Sequence, residues 1–122
     1  MKQGRKISGG KYKKQRKKKL YESKGIARVV KLGENKSKHL RVRGGNLKFV
    51  SLSANTANIM VKGKAKTAKI KNVLETPSNR FLARQNILVK GAVIDTDLGK
   101  ARITNRPSQE GFVQAILLPE QE

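Results

Sequence analysis

The chain has 122 residues, a length suited to one domain, and its 29 Lys and Arg against 8 Asp and Glu leave a formal charge of +21 with a pI near 10.9. Self-repulsion of that size opposes compaction and points to an anionic partner, with nucleic acid the leading class. The sequence has no cysteine, which excludes disulfides, thiolate zinc sites and a cysteine nucleophile; with no apolar membrane-length window and no signal-peptide core, a soluble intracellular protein is expected.

Residues 1–25 hold 11 Lys and Arg against the single acid Glu22, and Ile7 and Leu20 are their only aliphatic residues larger than alanine. This composition predicts a basic arm, extended or disordered when free and able to order on RNA. Gly4, Gly9 and Gly10 would let the backbone approach phosphates, and Tyr12 and Tyr21 are free to stack on bases or to pack on the protein itself. The candidate RNA contacts of the arm are Arg5, Lys6, Lys11, Lys13, Arg16, Lys17 and Lys18. Residues 26–118 contain 29 Leu, Ile, Val or Phe among 93, enough to predict a folded domain, followed by a short tail at 119–122. From Asp95 onward five acids outnumber three bases, so this end is expected to face away from the anion.

In chain order, Ile26–Leu32 reads as a strand ended by the turn-rich Gly33-Glu34-Asn35. Leu40–Leu52 is the stretch around which the chain is organised. Leu40 and Val42 alternate with Arg41 and Arg43, the pair Gly44-Gly45 can take up positive φ, and Leu47 and Phe49 alternate with Lys48. That pattern predicts a β-hairpin with the apolar set on one face and Arg41, Arg43 and Lys48 on or near the other, presenting fixed cations to a polyanion. A solvated face carrying charge only for solubility is the plain alternative. Next come a strand at Ile59–Val61, a turn at Lys62–Lys64 and a strand at Thr67–Leu74 whose Lys69 and Lys71 should point out of the sheet as further candidates. Pro77 closes that strand, and Asn79–Asn86 suits a short helical turn showing Arg80 and Arg84.

Ile87–Lys90 and Ala92–Ile94 flank Gly91, whose position inside a strand pattern predicts a bulge or barrel corner. Asp95–Gly99 reads as a turn, Ala101–Thr104 as a strand, Asn105–Gly111 as a longer loop and Phe112–Leu118 as the last strand. Short strands with frequent turns and little helix predict an all-β fold, a small closed or nearly closed β-barrel with a long basic N-terminal extension.

Catalytic chemistry finds no foothold. His39 is the only histidine, and no Ser or Thr lies in a recognisable triad signature. Asp95, Asp97 and Gly99 echo the start of a calcium loop, but its twelfth position is Arg106 where a bidentate Glu is required. Gly9-Gly10-Lys11 and Gly63-Lys64-Ala65 lack the remaining parts of a phosphate-binding P-loop, and neither a KH-type Gly-x-x-Gly nor an aromatic RNA-recognition signature is present. No enzyme, cofactor, metal site or small-molecule substrate is therefore expected.

Several colinear motifs do form a larger pattern: Gly9-Gly10-Lys11 with the basic run to Lys19-Leu20-Tyr21-Glu22, Arg41-Val42-Arg43-Gly44-Gly45-Asn46, Ala57-Asn58, Asn86-Ile87, Lys90-Gly91-Ala92, Leu98–Thr104, Arg106-Pro107 and Glu110-Gly111. Together they resemble the archaeal and eukaryotic small-subunit ribosomal protein S-eight-e family in its short archaeal form. Eukaryotic members carry a long charged insertion between the positions of Ile94 and Ala101, where this chain has a tight turn. Arg106-Pro107-Ser108-Gln109 departs slightly from the family's Arg-Pro-Gly-Gln. The resemblance implies a cytoplasmic structural constituent of the small ribosomal subunit, partnered by ribosomal RNA and neighbouring ribosomal proteins, with a barrel body and an arm threaded along the RNA. The competing reading is a general basic nucleic-acid-binding or RNA-chaperone protein outside the ribosome.

Overall fold

The computed structural model describes residues 4–119; residues 1–3 of the expected arm and 120–122 of the expected tail lie outside that range. Eight strands follow in order: β1 (Lys31–Leu32), β2 (Lys36–Arg41), β3 (Leu47–Ala54), β4 (Thr56–Val61), β5 (Lys64–Glu75), β6 (Val93–Thr96), β7 (Gly99–Ile103) and β8 (Gln114–Leu117), with one helix, α1 (Arg80–Arg84), between β5 and β6. Strands β4 to β8 form a closed barrel, and β1, β3 and β2 form a separate three-stranded sheet.

Period-two alternation places the barrel's interior. Ala57 and Ile59 of β4, Ala68 and Ile70 of β5, Ile94 and Thr96 of β6, Ala101 and Ile103 of β7, and Ala115 of β8 are all buried, while their sequence neighbours face outward or lie half-buried. Mixing alanine with isoleucine lets a barrel of only five strands fill without a void. Thr96 is tolerated inside because its hydroxyl donates to the Gly99 carbonyl at 2.7 Å across the β6–β7 turn. Neighbouring strands pair antiparallel in sequence order, and the ring closes through a parallel pairing of β4 with β8 that sets Asn58, Ile59 and Met60 against Gln114, Ala115 and Ile116.

The bend comes from β5 as well as from Gly91. Its pairing with β6 shifts register between Ile70 and Asn72 and again between Val73 and Glu75, and these bulges switch the buried position from Ile70 to Val73. A bulge raises local twist, which is what a 12-residue strand needs to wrap a small barrel. Gly91 forms the expected bulge beside β7: at φ 83° it follows a turn closed by the Ala92 N–H donating to the Val89 carbonyl, its own N–H donates to the Ile103 carbonyl at 2.8 Å, and the Ile103 N–H donates to the Ala92 carbonyl at 2.9 Å. Ile87–Lys90, however, is no strand: Ile87 makes one isolated bridge to Lys31, and Leu88 is buried as a core plug. Asp95 belongs to β6, leaving Asp97-Leu98 as the turn.

The expected strand at Ile26–Leu32 shrinks to β1. Ile26 and Val29 are exposed and Val30 is the first buried residue of the described chain, its carbonyl accepting from the Leu88 N–H at 2.8 Å. An apolar run forms a strand only where a ladder partner exists, and partners begin with β3 and the Asn86–Leu88 segment. The short helix forms as expected within Asn79–Asn86, with the Asn79 side chain accepting from the Phe81 N–H at 3.0 Å as an N-cap.

Candidate nucleic-acid interface

The β2–β3 hairpin is present, but its faces are not those the alternation predicts. Arg41 pairs with Leu47, Leu40 with Lys48 and His39 with Phe49, so residues of like parity share a face. The loop contains a 3-10 turn at Arg43–Gly45, closed by the Val42 N–H donating to the Asn46 carbonyl at 2.9 Å, with Gly44 and Gly45 both at φ 74°. This turn sets a register one residue away from the one that would gather Leu40, Val42, Leu47 and Phe49 together. One face therefore carries His39, Arg41, Leu47 and Phe49, with the His39 and Phe49 rings 4.3 Å apart; Leu40, Lys48 and Val50 lie on the other. Arg41 is exposed at the end of β2, whereas Arg43 lies in the turn rather than on a strand. Lys48 is half-buried and its ammonium donates to Gln109 Oε1, so it tethers the loop between β7 and β8 and does not stand free beside Arg41.

That loop joins the sheet to the barrel. The Ser51 N–H is shared by the carbonyls of Pro107 (3.1 Å) and Glu110 (3.0 Å). Asn105, nearly buried, donates to Glu110 Oε2 and the Phe112 carbonyl, both at 2.8 Å, and accepts from the Gln114 N–H at 3.0 Å. Gly111 sits where a Cβ would fall 3.2 Å from that of Phe49, so the close approach of loop and hairpin depends on the missing side chain. Arg28 adds a bond to the Ser108 carbonyl at 3.0 Å from the far side.

In the N-terminal segment every residue from Gly4 to Val29 is exposed. Arg5, Lys6 and Lys11 come together about a tight turn: Arg5 bridges Lys11, the Lys6 N–H donates to the Gly10 carbonyl at 2.9 Å, and the Arg5 guanidinium donates to the Gly9 carbonyl at 3.0 Å. The Lys6 ammonium lies 5.8 Å from the centre of the Tyr12 ring. Lys13, Lys17 and Lys18 are exposed. Arg16 differs, since both its terminal nitrogens donate to Glu22, at 3.0 and 2.7 Å. The Arg16 guanidinium, helped by the Lys19 N–H, holds the Glu22 carboxyl below the usual carboxylate range.

Lys69 and Lys71 point outward from β5 as expected, flanking buried Ile70. Lys71 stands 3.4 Å from an Asp97 carboxylate oxygen, an exposed pair of little strength. Sequence reasoning passed over the tip of the β4–β5 hairpin, where Lys62, Lys64 and Lys66 are exposed because the strands run past the barrel's filled interior; their spacing beside Gly63 was the available signal. It also left Arg80 and Arg84 unassigned, although both flank the exposed ring of Phe81. Among the described residues only Arg16 and Lys71 form ion pairs, so most of the positive charge is unneutralised by the protein itself. Such a surface can bind an extended polyanion by displacing its counterions.

Comparison with known proteins fits this arrangement. Residues 1–118 match the family described as ribosomal protein S8e. A protein of Pyrobaculum aerophilum described as small ribosomal subunit protein eS8 is 45% identical over 118 residues, covering 93% of this chain and 90% of the relative. Proteins of the same description from Sulfolobus acidocaldarius and Methanoregula boonei are 44% and 40% identical, covering 95% and 93% of this chain and 93% of each relative. Since the match runs from the basic segment through the last barrel strand and the relatives align over nearly their whole lengths, the chain belongs to the ribosomal protein S8e family.

Proposed function

We propose that this protein is a structural constituent of the small ribosomal subunit in the cytoplasm, where it binds and stabilises ribosomal RNA in support of translation. The carrying observation is the array of exposed lysines and arginines without acidic partners among the described residues, on a chain whose relatives are described as small-subunit proteins. Its role is one of scaffolding rather than catalysis, with ribosomal RNA and neighbouring ribosomal proteins as partners.

Recognition is directed at the phosphate backbone. A-form RNA hides its base edges in a deep major groove, so the spacing of cations is matched to the path of phosphates rather than to sequence. Arg5, Lys6, Lys11, Lys13, Lys17 and Lys18 supply an arm that follows the RNA, with Arg16 joining when Glu22 yields. Arg41 and Arg43 supply contacts of fixed position from the hairpin, Lys69 and Lys71 supply contacts from the barrel wall, and Lys48 contributes by orienting the loop it holds.

The test is affinity for small-subunit ribosomal RNA, duplex DNA and heparin from about 50 to 200 mM salt. It is run on the full chain, on the chain lacking residues 1–25 and on the Arg41→Ala/Arg43→Ala variant. With 6–10 phosphate contacts, affinity falls roughly 10³- to 10⁵-fold over that range, and each lost contact lowers the salt slope by about one. A preference for the ribosomal RNA that survives arm removal and weakens in the arginine variant supports the reading. Equal binding to all three polyanions would overturn it in favour of a general cationic binder.

A further inference from the structure

Helix α1 combines three features that folding alone does not require. Phe81 is 55% exposed, although a phenylalanine gains most by burial. Arg80 and Arg84, at the like-charge i, i+4 spacing that weakens a helix, both lean over it, their guanidinium carbons 5.7 and 5.8 Å from the ring centre. Neither arginine forms an ion pair among the described residues. On the other side of the two arginines a groove of about 510 Å³ runs between α1 and β5, with Asn72 and Asn86 on its walls.

The β5 bulge places Asn72 there, and its Oδ1 accepts from the Val73 N–H at 2.9 Å. The Asn86 side chain makes no hydrogen bond among the described residues. Asn86 takes φ 52° as the left-handed residue that ends α1, its N–H donating to the Ala83 carbonyl at 3.0 Å and the Ile87 N–H to the Leu82 carbonyl at 3.1 Å, so the helix cap fixes where its amide stands. An aromatic face, two cations set to grip a phosphate, and amide groups beside a groove of small-ligand size are the components that recognise an unpaired nucleotide. A duplex offers no free base face to such a ring.

We propose that α1 and the adjoining groove form a site for unpaired RNA, a loop or bulge. One base stacks on Phe81, its phosphate lies between Arg80 and Arg84, and the next nucleotide enters the groove against Asn72 and Asn86. The proposal rests on the RNA-binding reading above and adds a contact to bases to one directed at phosphates.

The chain has no tryptophan, so Phe81→Trp installs a single reporter at the site. The full chain carrying that substitution is titrated at about 0.2 M salt with single-stranded RNA, blunt RNA duplex, heparin and poly-glutamate. In parallel, Phe81→Ala and Arg80→Gln/Arg84→Gln are tested by anisotropy of a labelled hairpin-loop RNA and of the duplex. The expected results are quenching of the indole by single-stranded RNA alone, and a loss of about 5- to 150-fold in loop affinity for Phe81→Ala with duplex affinity unchanged. The double glutamine variant should lose loop affinity and part of its salt dependence. An indole unchanged while anisotropy reports loop binding, or quenched equally by duplex and heparin, would overturn the site and leave the general RNA-binding reading standing. A response to poly-glutamate alone would overturn it in favour of an acidic protein partner. Failure of the unsubstituted chain to bind either RNA would overturn both readings.

Discussion

The barrel and the three-stranded sheet use strands of similar composition, yet they stand on different physics. Each barrel strand sends residues to an enclosed interior, and Ile59, Ile94 and Ile103 reach essentially complete burial. None of the six residues of β2 is buried, and β3 buries only Val50, Ser51 and Ala54. What fixes the sheet is a set of hydrogen bonds from the loop between β7 and β8, centred on Ser51, Lys48 and Asn105. Apolar burial thus supplies cohesion in one region, while directional polar contacts set geometry in the other. A surface that repels itself can be displayed on the second because the first holds the chain together.

The strongest way to break this comparison is to empty the barrel. Ile94→Ala should cost about 2–5 kcal/mol in urea unfolding, the usual range for a buried isoleucine truncated to alanine, and a loss below about 1 kcal/mol would show that cohesion lies elsewhere. A smaller effect is expected from Asn105→Ala, which removes three hydrogen bonds at the joint. It should cost about 1–3 kcal/mol and speed amide exchange at Ser51 and Gln114, leaving β5–β7 protected. Uniform acceleration throughout the barrel would mean that sheet and barrel are one cooperative unit.

The smallest effect is confined to the exposed segment. Because the Glu22 carboxyl is held low by Arg16 and the Lys19 N–H, the contact favours local order at pH above the ordinary glutamate value of about 4.3 and is lost only as pH falls through the lowered one. A carbon-detected titration should place the Glu22 midpoint below that ordinary value, with barrel resonances unmoved. A midpoint at or above it would show that the contact does not persist.

Much of the barrel was readable because alternation reports directly on which residues face inward. Thr67–Leu74, Ala101–Thr104 and the outward Lys69 and Lys71 follow from it. The separate sheet was less readable for a physical reason: register depends on turn geometry, and a change of one residue at Arg43–Gly45 exchanges the partners of Arg41 and Lys48 without altering the composition of either strand. The loop's grip on Lys48 joins residues 61 apart in sequence, a contact no local pattern announces. The pairing of Arg80 and Arg84 about Phe81 was foreshadowed by the short helix, but the groove beside it arises from the bulges in β5, which only the strand pairing reveals.

The parallel β4–β8 pairing has a consequence for synthesis. β8 is the last of the described strands, so the nascent barrel keeps the edges of β4 and β7 open until Gln114–Leu117 has emerged. Open edges invite pairing with other chains, and pairing so distant in sequence must overcome loop-closure entropy before it is rewarded. The positively charged segment is made first, which lets an RNA engage it, and mutual repulsion keep sister chains apart, while the ring is still incomplete.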